Sequence, residues 1–294
     1  MSGVLAVRAF AKINLELRVL GRRSDGYHEL RTTFQTIALH DTLTLRRTRG
    51  AFRLESNARD VPLDETNLIW RAALALCQAT GRASTSGAAV YVRKRIPAGA
   101  GLGGGSSNAA AALVGLTALW NLKIAPDRLL EVAASLGSDV PFFLVGGTAL
   151  GVGRGELLYP LPGLPATPVV LVHPHFSVST ADAYRWHDET RGATGSATPQ
   201  RIALAWHPTG LAALNDLEAA VLPRYPAIGR AKRQLLGAGA SVAMMSGSGS
   251  TVFGLFASTA QAGQAARRLA APGRTVVLTR TIGRGGRPRA RPRP

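Results

Sequence analysis

Apolar and polar residues alternate from Lys12 to Val19: Ile13, Leu15, Leu17 and Val19 fall on one side, and Lys12, Asn14, Glu16 and Arg18 on the other. A period of two is that of a half-buried strand, so Lys12 and Asn14 share its polar face. Further strand patterns cover 33–39, 42–46 and 88–96. Helical patterns cover 67–80, the alanine-rich stretch 106–120, and 126–136, which opens with a proline at its first turn. The second half reads as strand (168–173), helix (180–187), a Gly/Ser/Thr-rich loop (190–198) and helical segments to Gly237. Strands (242–245, 251–256), a helix (259–271) and a strand (275–282) follow. Helices mixed with hairpin-linked strands predict an α+β protein, not an alternating doubly wound sheet. Glycines and prolines gather at 153–165, which predicts a first domain over 1–155 and a second over 156–283. Residues 284–294 form a basic, proline-rich tail with little to bury, expected to stay disordered.

Composition narrows the class. With 46% apolar and 18% charged residues the chain has the content of a folded protein. The single cysteine, Cys77, excludes an internal disulfide scaffold or a cysteine zinc cluster. No apolar run approaches the ~18 residues of a membrane span, and residues 1–8 lack the basic start and apolar core of a signal peptide. A cytoplasmic protein without membrane partners is therefore expected. The net charge of +18 would ordinarily suggest a polyanionic partner, but the last fifteen residues alone hold six arginines and no acid. The other basic residues are scattered, without aromatic residues interleaved to stack on bases, which disfavours a nucleic-acid partner.

The densest chemical signal is the run Pro97-Ala98-Gly99-Ala100-Gly101-Leu102-Gly103-Gly104-Gly105-Ser106-Ser107, which leads straight into a helix. Glycines let backbone amides approach a phosphate, and a helix N-terminus adds unpaired N–H donors. No Gly-Lys-Ser/Thr closes the loop, so it is not a Walker A loop. A dinucleotide loop is disfavoured as well, because the preceding strand alternates and Pro97 intervenes. Ser106 and Ser107 are expected at the helix cap.

This loop resembles those of the GHMP-type small-molecule kinases. So do the opening AKINLELRVLGRRSDGYHEL, the segment LGSDVPFFLVGGTALGVGRGE and the late MSGSGSTVFGLF, which occur in the same order from Ala11 to about Phe256. More narrowly, the motifs resemble the branch whose members phosphorylate the 2-hydroxyl of 4-diphosphocytidyl-2-C-methyl-D-erythritol. The resemblance implies a two-domain α+β fold with the active-site cleft between the domains. It also implies ATP as co-substrate with magnesium, whose protein ligands are not legible, and a small-molecule cytidyl partner.

Carried over residue by residue, the resemblance implies that Lys12 and Asp139 are catalytic and that Pro97 to Ser107 bind ATP, with Asn67 and Lys94 around the adenosine. It implies that Tyr27 and Tyr184 sandwich the cytosine while His28 reads its edge. Asn14 and Thr180 fall near the erythritol and phosphate end, and Gly247, Gly249 and Ser250 form a second glycine-rich wall. The residue types suit the chemistry, since phosphoryl transfer to an alcohol needs a proton acceptor and a cation. Taken alone, Asp139 reads as a turn carboxylate and Lys12 as a solvated strand residue, although only four of the 35 basic residues are lysines. Other readings left open are a kinase of the same superfamily acting on homoserine, mevalonate or a sugar, and an RNA-binding protein. Monomer and homodimer are equally admissible.

Overall fold

A computed structural model describes residues 3–191 and 213–292. Its backbone is a long antiparallel pair, β1 (Val4–Arg22) and β2 (His28–Arg47). The two strand patterns read at 33–39 and 42–46 are one continuous strand, bent by register shifts opposite Phe10/Ala11, Asn14/Glu16 and Val19/Gly21. Such irregularities break the period that a pattern search relies on. Beyond β2 lies β4 (Ala88–Arg93), antiparallel to its second half, and then β3 (Arg53–Ser56), parallel to β4. The first half of β2 pairs with β5 (Thr148–Gly153), which forms a hairpin with β6 (Leu157–Pro160). Four helices, α1 (Leu68–Thr80), α2 (Gly104–Leu119), α3 (Pro126–Leu136) and α4 (Val140–Val145), share a core with this sheet, built on Val7, Leu43, Leu45, Val90, Leu113 and Phe142.

A second sheet contains β7 (Pro168–His173), β9 (Val242–Met245), β10 (Val252–Leu255) and β11 (Thr275–Arg280) in the order β11-β7-β10-β9, all antiparallel. Packed against it are α5 (Thr180–Arg191), α6 (Glu218–Arg224), α7 (Pro226–Gly237) and α8 (Thr259–Leu269). The middle of β1 joins the two halves. Ala11, Ile13 and Leu15 cluster with Leu102 of the glycine loop and with Val169, Leu171, Met244 and Phe253 of the second sheet. Both faces of β1 are buried from Ala11 to Leu17, so the polar side of the alternation is not solvated. It forms the floor of a cleft.

The expected domain boundary at 155 falls inside the β5–β6 hairpin, where the glycines at 153 and 155 make a turn and not a linker. The first body is also discontinuous. The two-residue strands β8 (Leu214–Asn215) and β12 (Arg291–Pro292) both return to β1. Residues 190–191 of the expected loop close α5. The rest of it, and the helical pattern between 199 and 212, lie outside the described residues.

Residues 284–292 of the tail lie against the first sheet and its core, whereas 284–294 were expected to stay disordered. Composition misleads here because the tail does bury apolar groups: Pro288 is buried and Ala290 packs on the first core. Its backbone also runs over Gly146 and Gly147, where β-carbons would stand 3.0 Å from the amide nitrogens of Arg287 and Arg284. Arg291 and Pro292 then pair with Ala6 and Leu5. Deleting 284–294 is therefore expected to lower the melting midpoint by about 2–4 °C, the shift that ~1 kcal/mol gives a chain of this size. An unchanged midpoint in a thermal melt would show that the tail contributes nothing. Among the described residues, no helix is long and apolar enough to cross a membrane.

Candidate active site

The polar face of β1 carries a short relay. Lys12 Nζ donates to Asn14 Oδ1 at 2.6 Å, Asn14 Nδ2 donates to Thr32 Oγ1 at 2.8 Å, and that hydroxyl donates to the Glu16 carbonyl at 2.7 Å. The relay fixes which end of the Asn14 amide faces the lysine. Lys12 is only 4% exposed and sits 5.4 Å from the Phe34 ring centroid. Its charge is balanced by Asp139, whose Oδ2 lies 3.4 Å from Nζ. Asp139 immediately precedes α4 and keeps about a third of its side chain exposed, so one carboxylate reaches both the lysine and the cleft. The cleft holds about 1150 Å³.

One wall is the glycine loop. It is clamped on both sides: the Lys12 amide donates to the Leu102 carbonyl at 3.0 Å, and the Ser246 hydroxyl donates to the Gly101 carbonyl at 2.9 Å. Gly101 has φ +76°, and a β-carbon there would stand 2.0 Å from the Ser246 carbonyl oxygen. The loop ends in Gly103, in left-handed conformation, which is the N-cap of α2 without any side-chain hydrogen bond to the helix. The first N–H groups of the 16-residue helix are thus left without a side-chain partner at the cleft, where Gly103, Gly104, Gly105 and Ser106 line it. Pro97, Ala98, Gly99, Ala100 and Gly101 complete this wall.

Two loop residues expected to contact ATP point elsewhere. Leu102 is buried in the joint between the halves, and the Ser107 hydroxyl donates to the Phe10 carbonyl at 2.6 Å instead of capping the helix. The wall continues over Asn67 and Lys94, whose polar groups are already engaged. Asn67 is the N-cap of α1: its Oδ1 accepts from the Ile69 amide at 2.8 Å, and its Nδ2 donates to the Pro62 carbonyl at 2.6 Å. Lys94 is paired with the buried carboxylate of Asp41.

The opposite wall combines the β1–β2 turn with α5. Tyr27, His28, Thr180 and Tyr184 all reach the cleft, as does Gly247 beside Lys12 and Asn14. The Thr180 and Ser248 hydroxyls are 3.0 Å apart. Tyr27 is more than half exposed and has the Arg154 guanidinium 4.9 Å from its ring centroid. His28 and Tyr184 stack at 4.8 Å with their planes 20° apart. Burial pushes the Tyr184 phenol well above its usual range, and the negative charge of Asp139 adds to the shift, so this hydroxyl stays protonated.

Arg154 and Asp188 are among the cleft residues that escaped the sequence reading. Arg154 lies in the β5–β6 turn, a place taken for a linker. Asp188 contacts His28, and its position one helical turn after Tyr184 on α5 was the available signal.

Comparison with known proteins agrees with this geometry. Residues 67–147 match the GHMP kinases N terminal domain and residues 203–275 match the GHMP kinases C terminal domain. A 4-diphosphocytidyl-2-C-methyl-D-erythritol kinase of Moorella thermoacetica is 47% identical over 95% of this chain and 99% of the relative. One from Solibacter usitatus is 48% identical over 85% and 80%. The crystal structure of a 4-(cytidine 5'-diphospho)-2C-methyl-D-erythritol kinase superposes with a TM-score of 0.77 at 35% identity, covering 95% of this chain and 99% of that one. A homoserine kinase structure from Cytophaga hutchinsonii, 20% identical with a TM-score of 0.71, shares the fold. The chain therefore belongs to the GHMP kinase family, on the branch of the 4-diphosphocytidyl-2-C-methyl-D-erythritol kinases.

Proposed function

We propose that this kinase transfers the γ-phosphoryl group of ATP to the 2-hydroxyl of 4-diphosphocytidyl-2-C-methyl-D-erythritol, giving the 2-phosphate and ADP, a step of non-mevalonate isoprenoid precursor synthesis. The observation that carries the reading is the Lys12–Asp139 pair at 3.4 Å, placed between an uncapped helix N-terminus and a histidine–tyrosine stack in one cleft. The helix end suits the phosphates of ATP, and the stack suits a flat base. Asp139 is the proton acceptor for the attacking hydroxyl. Lys12, 3.4 Å from that carboxylate, offsets negative charge that develops during transfer. Asn14 and Thr180 line the space between, where the erythritol lies. Tyr27 and Tyr184 flank the cytosine, and His28 meets its edge.

Magnesium fits the donor set on the loop side. Asn108 Oδ1 is buried without a hydrogen-bond partner, and the Ser106 hydroxyl lines the same wall. Neutral oxygens of this kind complete the shell of an ion bound mainly through nucleotide phosphates, whose charge it neutralises.

A coupled ADP-release assay tests the reading against a panel of the cytidyl substrate, homoserine, mevalonate and RNA. Turnover with the cytidyl substrate is expected; turnover only with another alcohol, or RNA binding without ADP release, would replace it. Tyr184→Ala is expected to raise the KM for the cytidyl substrate by the equivalent of ~1–3 kcal/mol of stacking while the KM for ATP stays near its original value. A parallel rise in both KM values would move Tyr184 off the substrate side.

A further inference from the structure

His28 is held by a partner that the family motifs did not single out. Its Nε2 lies 2.9 Å and 3.1 Å from the two carboxylate oxygens of Asp188. An ionised carboxylate only accepts hydrogen bonds, so Nε2 must carry the proton. In the neutral ring this leaves Nδ1 as a bare acceptor, and no described residue donates to it. Among the described residues, the Asp188 carboxylate also lies 3.6 Å from His187 Nδ1. Both partners line the cleft, and the imidazole plane is already set by the stack on Tyr184. A base bonded in that plane lies parallel to the tyrosine ring, with its edge facing Nδ1.

We propose that Asp188 is the positioning residue for base identity: it fixes His28 as the Nε2–H tautomer, so that Nδ1 accepts from an exocyclic amino group and rejects a carbonyl. The occupant is then a cytosine nucleotide, not a uracil one, because the two differ at that edge by an amino donor against a carbonyl acceptor. This rests on the proposed function and deepens it. A histidine free to change tautomer could present Nδ1–H and bond a carbonyl equally well, which is how the choice between bases would be lost. Sites that fix an acceptor against a required donor discriminate strongly, since the wrong ligand leaves buried polar groups unpaired.

The test compares kcat/KM for 4-diphosphocytidyl-2-C-methyl-D-erythritol with that for its uridine counterpart, in the wild type and in Asp188→Ala. The cytidyl-over-uridyl ratio is expected to fall about 10- to 100-fold, the scale on which removing a histidine's supporting partner acts elsewhere. The loss on the cytidyl substrate should fall on KM more than kcat, with the KM for ATP held. Should Asp188→Ala fail to fold, Asp188→Asn carries the test. Its amide can turn either edge to Nε2, so the ratio must fall there too, by about tenfold. An active wild type whose folded variant loses the same factor on both substrates, keeping the ratio, overturns this inference alone. A wild type inert toward the cytidyl substrate overturns the proposed function and this inference with it.

Discussion

Asp139→Asn is expected to lower kcat by roughly 10²-fold or more, the scale of general acid–base contributions, with modest change in either KM. The substitution keeps the shape of the side chain and its place before α4 but removes the basic, charged oxygen. Lys12→Met should be slow as well, and the geometry says how the two losses combine. At 3.4 Å, with Lys12 buried, each group sets the electrostatics of the other. The double variant should therefore be scarcely slower than the worse single one, because groups acting as a unit are not additive. Steady-state kinetics of the four proteins in the cycle decide the matter. Near-normal kcat in folded Asp139→Asn would leave positioning and the lysine charge as the source of catalysis. Full additivity would separate the two roles.

The other large effect belongs to the glycine loop, and the structure ranks its positions. Gly101→Val should be the most damaging, since its β-carbon would meet the Ser246 carbonyl oxygen at 2.0 Å and the Gly249 carbonyl oxygen at 2.9 Å. Neither is a side chain that can swing away, and the left-handed backbone costs a further ~1–3 kcal/mol for a residue with a β-branch. Gly103→Val follows, meeting Phe143 Cζ at 2.7 Å from an equally left-handed backbone. Gly104 has ordinary helical geometry, and its β-carbon would face the ends of Ile96 and Lys94 at 3.0 Å and 3.3 Å, so Gly104→Ala should be tolerated within a few-fold. ATP affinity by calorimetry, with a melting curve for each variant, measures the order. Loss of ATP binding is expected to exceed ~100-fold at Gly101, because the loop cannot keep its clamp on Ser246. Equal affinities at Gly101 and Gly104 would place the nucleotide elsewhere.

Much of the site was legible without coordinates, for a local reason. The alternation over residues 12–19 places Lys12 and Asn14 on one face whatever lies opposite, because side chains of a strand alternate sides. The glycine run followed by alanines specifies a loop and helix start within a dozen residues, and α3 and β7 begin and end where their patterns do. Capping was not legible. The cap of α1 by Asn67 is seen only in the structure, and where Ser106 and Ser107 were expected to cap α2 the helix starts at glycine while Ser107 turns inward to the Phe10 carbonyl, a bond between segments far apart in the chain.

The amino-acid order thus settled the types of chemistry present: a phosphate loop, a lone pair of candidate catalytic groups, and an aromatic–histidine motif on the β1–β2 turn. The loop and the aromatic–histidine motif are written in neighbouring residues, where steric preference and periodicity act, whereas the roles of Lys12 and Asp139 rested on the resemblance of their segments to the kinase motifs. Whether the polar side of β1 faced water or an active site depended on the second sheet closing over it, which no local period reports. The same holds for the 3.4 Å approach of Asp139 to Lys12, for Asp188 beside His28, and for a basic tail that pairs with β1 and packs Ala290 on the first core. These contacts join segments distant in sequence. Their free energy comes from burial and pairing that exist only once both halves have folded around the shared strand.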